Sequence, residues 1–221
     1  MYQRMIGAGK YRLTVFMPDD QPDGIIYIPM HGSAEEAVKL LSDLRAAVVS
    51  VEGFDWNRDL SPWPAEAVFG NEDFGGEADA FLGLLTEELI PAAERAMDIE
   101  PVWRGIAGYS LAGLFALYAV YKTGLFTRAA SVSGSVWFDG WTDFAENTPF
   151  AAKVTRAYFS VGAKEKKTRN VRMQPVEENT RRMCELFRSR GAQSIFMLNP
   201  GNHFVNADQR LADALRFLSG S

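Results

Sequence analysis

A single α/β domain built on a mostly parallel sheet is what the sequence predicts, and three observations predict it. Several apolar runs lack the alternation of a strand wetted on one face, helix-spaced segments alternate with them along the chain, and glycine-rich turns mark passages from strand to helix. That alternation of strand and helix is the pattern of parallel sheets with helices on both faces. The 221 residues suffice for one sizeable core and are too few to favour a second, so residues 1–221 are read as one domain. An apolar fraction of 47% and a charged fraction of 23% are ordinary globular values.

In chain order, Tyr11, Leu13, Val15 and Met17 alternate with Arg12, Thr14 and Phe16 before Pro18, predicting an early antiparallel strand near an edge. Residues 24–30 form a compact apolar run, followed by His31-Gly32-Ser33 and a helix-like stretch from Ala34 to Leu44 that Ser33 can cap. Residues 46–51, Ala-Ala-Val-Val-Ser-Val, are apolar throughout and read as a strand covered on both faces. The stretch from Glu52 to Phe74, with its prolines, glycines and aromatics, reads as a long loop. Helical spacing returns from Glu77 to Met97, where Pro91 is expected to bend or divide the helix. A strand at 102–107 leads into Gly108-Tyr109-Ser110, and the apolar helix from Leu111 to Tyr121 must be buried. Strands at 129–133, 155–161 and 193–198 and helices at 175–190 and 207–218 complete the series.

Composition narrows the partners. A net charge of −5 with scattered basic residues leaves no electrostatic footprint for nucleic acid. No apolar run approaches the roughly 18 residues that span a bilayer, and residues 1–10 lack the apolar core of a signal peptide, so no membrane partner and a cytoplasmic location are expected. The lone Cys184 has no internal partner and is read as structural. Composition does not speak to oligomeric state.

The chemistry centres on Ser110. A serine on a tight turn between a strand and a helix stands at the carboxyl edge of the sheet, its hydroxyl exposed above the positive end of the helix. Gly108 and Ala112 on either side, and Gly113 beyond, let strand and helix approach without a Cβ clash. The motif is G-x-S-x-A rather than G-x-S-x-G, a small-for-small replacement. The competing reading is a serine that merely caps its helix.

A serine hydroxyl needs a neighbouring base, usually an imidazole oriented by a carboxylate. Of two histidines, His203 lies in a turn-rich loop between the last strand and the last helix and follows the serine in sequence; His31 precedes it and is read as a surface or packing residue. The acid should follow a strand lying between them. Glu165, just past the strand ending at Val161, is the first choice; Asp139 is second, and a dyad without an acid third. The charge-rich run 164–169 also fits a solvated loop.

A tetrahedral intermediate needs two donors for its oxyanion. Leu111 N–H is the first, and the amide of Gly32 or Ser33, after the strand at 25–30, is the second. Trp56, Arg58, Trp63 and Tyr109 are the candidate substrate contacts; for the tryptophans, clamping a long loop to its own core is the alternative. Trp137, Phe138 and Trp141 occupy a segment where hydrolases insert a lid, but it is too short for a large one.

Residues 108–118, Gly-Tyr-Ser-Leu-Ala-Gly-Leu-Phe-Ala-Leu-Tyr, together with residues 56–63 and Gly201-Asn-His-Phe204, resemble the Putative esterase family of α/β hydrolases. That grouping is similar to esterase D, the enterobactin and ferric siderophore esterases and the mycolyltransferases. The resemblance runs from about residue 25 to residue 218 and implies the α/β-hydrolase fold, hydrolysis of a small-molecule carboxylic ester, and no metal or organic cofactor. In such relatives a glutamate after the corresponding strand completes the triad, which matches Glu165. The expectation is a serine esterase working through an acyl-enzyme intermediate; the alternatives are a hydrolase-fold protein that binds without chemistry, or acyl transfer or peptide cleavage at the same site.

Overall fold

The computed structural model describes residues 2–68 and 70–220. Strands β1 (Tyr2–Ala8) and β2 (Tyr11–Met17) form an antiparallel hairpin whose two-residue turn places Gly9 at φ 61, a conformation hairpins reserve for glycine. The next two strands, β3 (Gly24–Pro29) and β4 (Ala46–Glu52), are parallel to one another and buried along their whole length, which explains runs without alternation. β2 pairs antiparallel with β4 on one side and β1 on the other, so it is antiparallel and next to the edge as expected; the edge strand itself is β1, which the sequence pattern did not announce.

Between β3 and β4, helix α1 covers only Glu35–Lys39, shorter than the predicted 34–44. Ser33 Oγ accepts the Glu35 N–H at 3.1 Å, the capping contact expected of it. Leu41 and Leu44 are buried without being helical, so their spacing reported burial rather than helix. The long segment after β4 is also not plain loop. It holds α2 (Trp56–Asp59), capped by Asp55 through the Arg58 N–H at 2.9 Å, and a small ribbon of β5 (Pro64–Ala65) and β6 (Phe74–Gly75).

Helix α3 (Ala78–Leu84) then widens into a π-helical turn, Leu85–Leu89, before α4 (Ile90–Met97). Pro91 has no N–H to donate and its ring crowds the preceding turn, so a wider turn just before it is the expected accommodation. Then follow β7 (Trp103–Tyr109), α5 (Leu111–Lys122), β8 (Arg128–Val132), α6 (Trp141–Asn147), β9 (Arg156–Gly162), α7 (Val176–Ser189), β10 (Gln193–Asn199) and α8 (Ala207–Ser219). Of these, only α6 has no counterpart in the sequence reading.

The sheet order is β1-β2-β4-β3-β7-β8-β9-β10, parallel from β4 to β10. One apolar cluster packs α3 to α7 on one face; a second packs α1 and α8 on the other. In α5 every residue from Leu111 to Tyr121 is buried, as its composition demands. Cys184 is buried in α7 and burial pushes its thiol pKa up, the environment of an inert thiol. Among the described residues no helix is long and apolar enough to cross a membrane.

The chain leaves β3 toward β4, then returns past β3 to build β7 through β10 on the other side. Strand order therefore reverses between β3 and β7. At such a switch point the loops leaving the two strands part in opposite directions and open a crevice at the carboxyl edge of the sheet. Ser110 follows β7, and His31, Gly32 and Ser33 follow β3.

Candidate active site

Ser110 joins β7 to α5 at φ 59, ψ −123, a strained backbone for a residue with a side chain. Its surroundings over-determine that conformation: its N–H donates to Val132 O at 3.0 Å, and its carbonyl accepts from Gly113, Leu114 and Ser135 N–H at 3.0, 3.2 and 3.0 Å. A Cβ on Gly108 would stand 2.1 Å from the Ala112 carbonyl oxygen, so strand and helix meet this closely only with glycine there. Leu111, first in α5, has a backbone N–H with no intrahelical acceptor, at the positive end of the helix dipole.

His203 Nδ1 lies 2.8 Å from Glu165 Oε2. Glu165 is reached by a tight turn after β9, closed by Glu165 N–H to Gly162 O, and the neighbouring Lys164 N–H donates to Gly201 O in the His203 loop. The other carboxylate oxygen, Oε1, accepts from Gly162 N–H at 2.6 Å, Ser133 Oγ at 2.8 Å and Arg210 Nη1 at 3.3 Å. Burial opposes ionisation of this carboxyl. The hydrogen bonds from His203, Gly162 and Ser133 outweigh it and leave the pKa below the usual glutamate value. The alternative acid, Asp139, is instead exposed and paired with Arg172 at 2.5 Å.

Arg210, with a side chain 2% exposed, was not singled out in the sequence reading. From α8 it donates to the carbonyls of Pro200 and Asn202 at 2.9 and 3.0 Å, to Ser133 Oγ at 2.9 Å and to Glu165. One guanidinium thus ties the His203 loop to the carboxylate that faces His203. A readable signal existed: position 210 falls on the apolar stripe formed by Leu211, Ala214, Leu215 and Leu218, where an arginine is out of place. Ser133 and Gly162 carried no such signal. A Cβ on Gly162 would lie 2.9 Å from Glu165 Oε1 and 2.7 Å from Gly201 O, so that glycine makes room for the carboxylate.

Ser110, Glu165 and His203 line one cleft of about 420 Å³, with Trp137, Met173, Val176 and Phe204 among its walls. A recess of about 70 Å³ on another side of Ser110 is lined by Leu111, Trp56, Asn57, Val68 and Phe74 among others. Of the expected substrate contacts, only Trp56 lines either space, and it stacks on His31 at 4.9 Å. Tyr109 turns its hydroxyl to the His203 carbonyl and its ring edge to the imidazole at 5.3 Å. Arg58 is engaged by Asp59 at 2.9 Å and Glu77 at 3.4 Å, and Trp63 Nε1 donates to Asp139 O at 2.9 Å while its ring packs on Phe138 and Phe144. Gly32, at φ 77, and Ser33 beside it make the turn that leaves β3, and neither lines the cleft or the recess.

With this geometry in place, residues 23–217 match the family described as Putative esterase. The chain belongs to that esterase family. Its chemistry is therefore carboxylic ester hydrolysis. Among solved structures the esterase is similar to the siderophore hydrolase EstB from Aspergillus nidulans, with a TM-score of 0.70 and 20% identity over 99% of this chain and 95% of that one. It is also similar to an IroE-like serine hydrolase from Shewanella oneidensis, with a TM-score of 0.72 and 15% identity over 97% of this chain and 78% of that one. At the sequence level, the uncharacterized protein YbbA of Bacillus subtilis (strain 168) is 23% identical over 201 residues, covering 83% of this chain and 80% of that protein. The structural likenesses establish the α/β-hydrolase-like fold of the esterase.

Proposed function

We propose that the esterase works through an acyl-enzyme intermediate, with Ser110 as nucleophile, His203 as general base and Glu165 holding the imidazole. The observation that carries this reading is the pairing of His203 with Glu165 at 2.8 Å on the wall of the cleft that Ser110 also lines. A carboxylate at Nδ1 keeps the proton on that nitrogen and leaves Nε2 as the acceptor for the serine proton. Ser110 Oγ then bonds to the ester carbonyl carbon, and the carbonyl electron pair moves to oxygen. Collapse of that adduct breaks the bond to the alcohol, which leaves with the proton from Nε2; water, deprotonated in turn by His203, repeats the sequence and releases the acid.

Leu111 N–H is the first oxyanion donor. The amide of Gly32 or Ser33, in the turn that leaves β3 across the switch point, is the candidate for the second. Tyr109 acts on the base through its hydrogen bond to the His203 carbonyl, whereas Trp56 remains a substrate contact. The test is a fluorophosphonate probe followed by peptide mapping. Labelling at Ser110 alone, with Ser110→Ala losing at least about 10³-fold in kcat on aryl esters, is expected. Undiminished turnover by that variant sinks the proposal, and a folded wild-type protein that neither labels nor turns over ester favours a binding role without chemistry.

A further inference from the structure

The two spaces beside Ser110 differ in size and in charge, and the chemistry assigns one to each half of an ester. The leaving alcohol must take its proton from His203, and His203 lines the larger cleft but not the recess. The alcohol half therefore occupies the larger cleft. The acyl half lies on the Leu111 side, in the recess of about 70 Å³. At roughly 30 Å³ for each water-sized group, that recess holds about two or three non-hydrogen atoms beyond the carbonyl.

The larger cleft has apolar walls and a basic rim. Trp137, Met173 and Val176 form one side, and Phe204, whose surface is 84% exposed, stands edge-on to the His203 ring at the mouth. Lys164 and Lys167 line the same cleft. Their neighbours Lys166 and Arg172 are neutralised by Glu177 at 2.9 Å and Asp139 at 2.5 Å, whereas no carboxylate among the described residues bridges Lys164 or Lys167. Glu165, between them in sequence, is turned inward to His203. On a chain of net charge −5 this leaves a local positive potential at the mouth of the cleft, aimed at whatever enters it.

We propose that the esterase prefers short-chain acyl esters, acetyl to butyryl, of an aryl alcohol that bears a carboxylate, with Lys164 and Lys167 facing that carboxylate and Phe204 and Trp137 against the ring. This assignment rests on His203 being the group that protonates the leaving alcohol.

The experiment compares acetyl, butyryl and octanoyl esters of 3-hydroxybenzoate and of phenol. For the short acyl chains kcat/KM on the carboxylate-bearing ester should exceed that on the neutral one by about tenfold, the ratio falling toward unity at high salt and in Lys164→Ala/Lys167→Ala. Octanoyl esters should be at least about tenfold poorer than butyryl. A ratio that is already unity in the wild type, or that survives loss of both lysines, overturns the charge assignment; preference for octanoyl overturns the acyl assignment. Calorimetric titration of Ser110→Ala protein with 3-hydroxybenzoate and with phenol separates the two levels. Lysine-dependent binding of the carboxylate by a protein whose wild type turns over no ester would uphold the anion site and remove the acyl-enzyme reading. Equal binding of the two, beside normal turnover, would do the reverse.

Discussion

Two of the arginine–glutamate pairs of this esterase, Arg104–Glu94 and Arg210–Glu165, differ in that the second faces the cleft and the first does not. In the first, Glu94 of α4 receives Arg104 on both oxygens, at 2.6 and 2.8 Å, and the hydroxyl of Tyr27 at 2.9 Å. Every contact is internal, and the result is a clamp of α4 onto β3 and β7. Burial, and then the charge of Glu94, push the Tyr27 pKa up, so the phenol stays a donor. In the second, the partners of Glu165 are divided. Gly162, Ser133 and Arg210 all crowd onto Oε1, which leaves Oε2 for His203. The same residue chemistry is a fastening in one place and, in the proposed mechanism, an orienting device in the other, because the second carboxylate keeps one oxygen for a group that lines the cleft.

The largest expected effect separates the two glutamates. Glu165→Ala should lower kcat by about 10³-fold with folding retained, while Glu94→Ala should leave kcat within about threefold and lower stability by about 1–2 kcal/mol, a figure discounted for the partial exposure of its pair. Steady-state kinetics and urea unfolding on both variants make the comparison; equal kinetic losses would erase the distinction. The arginines come next. Arg210→Met removes the arginine cation beside the Glu165 carboxylate and the guanidinium bonds to two loop carbonyls, so it should cost about 3 kcal/mol and lower kcat about tenfold with KM little changed. Arg104→Met should lower stability alone. An unaltered kcat in Arg210→Met would make that residue scaffolding like its counterpart.

Acid sharpens the contrast further. The Glu165 pKa is depressed in the folded state, so its contribution is fully present above the ordinary glutamate value of about 4.3 and is lost as pH falls through the folded value. Glu165→Gln should therefore flatten the acid limb of a plot of unfolding midpoint against pH. An unchanged slope would show that the pair does not carry this linkage. The smallest effect belongs to Tyr109→Phe, which removes one hydrogen bond to the His203 carbonyl and should lower kcat only about threefold to tenfold, with aryl-ester KM nearly unchanged. A rise in KM alone would return Tyr109 to the substrate-contacting role expected from its place in sequence.

What was legible follows from how far apart the cooperating residues lie. The strand, Ser110 and the helix are contiguous, so the glycine at 108 and the apolar run after 110 announced the turn that Ser110 occupies. With only two histidines, chain order and a turn-rich loop singled out His203. Glu165 was readable because it closely follows a recognisable strand. By contrast β1 has an exposed, weakly patterned sequence and becomes a strand because β2 offers it an edge. The stretch from Glu52 to Phe74 showed no period because the helix in it is four residues long and the paired strands two each, too short for any periodic signal.

The sequence by itself determined the alternation of buried strands and helices, the tight turn at Ser110 and the candidate residue types, because each is written in local spacing and in which positions must be dry. Only the tertiary structure decided which acid meets the imidazole. Glu165 rather than Asp139 lies beside His203 because β9 and β10 are neighbours and the turns leaving them dock on one another. It also decided that Arg210, Ser133 and Gly162, from three separate segments, converge on one carboxylate oxygen. Contacts of that kind carry no pattern along the chain, since they are set by the order of strands in the sheet rather than by the order of residues.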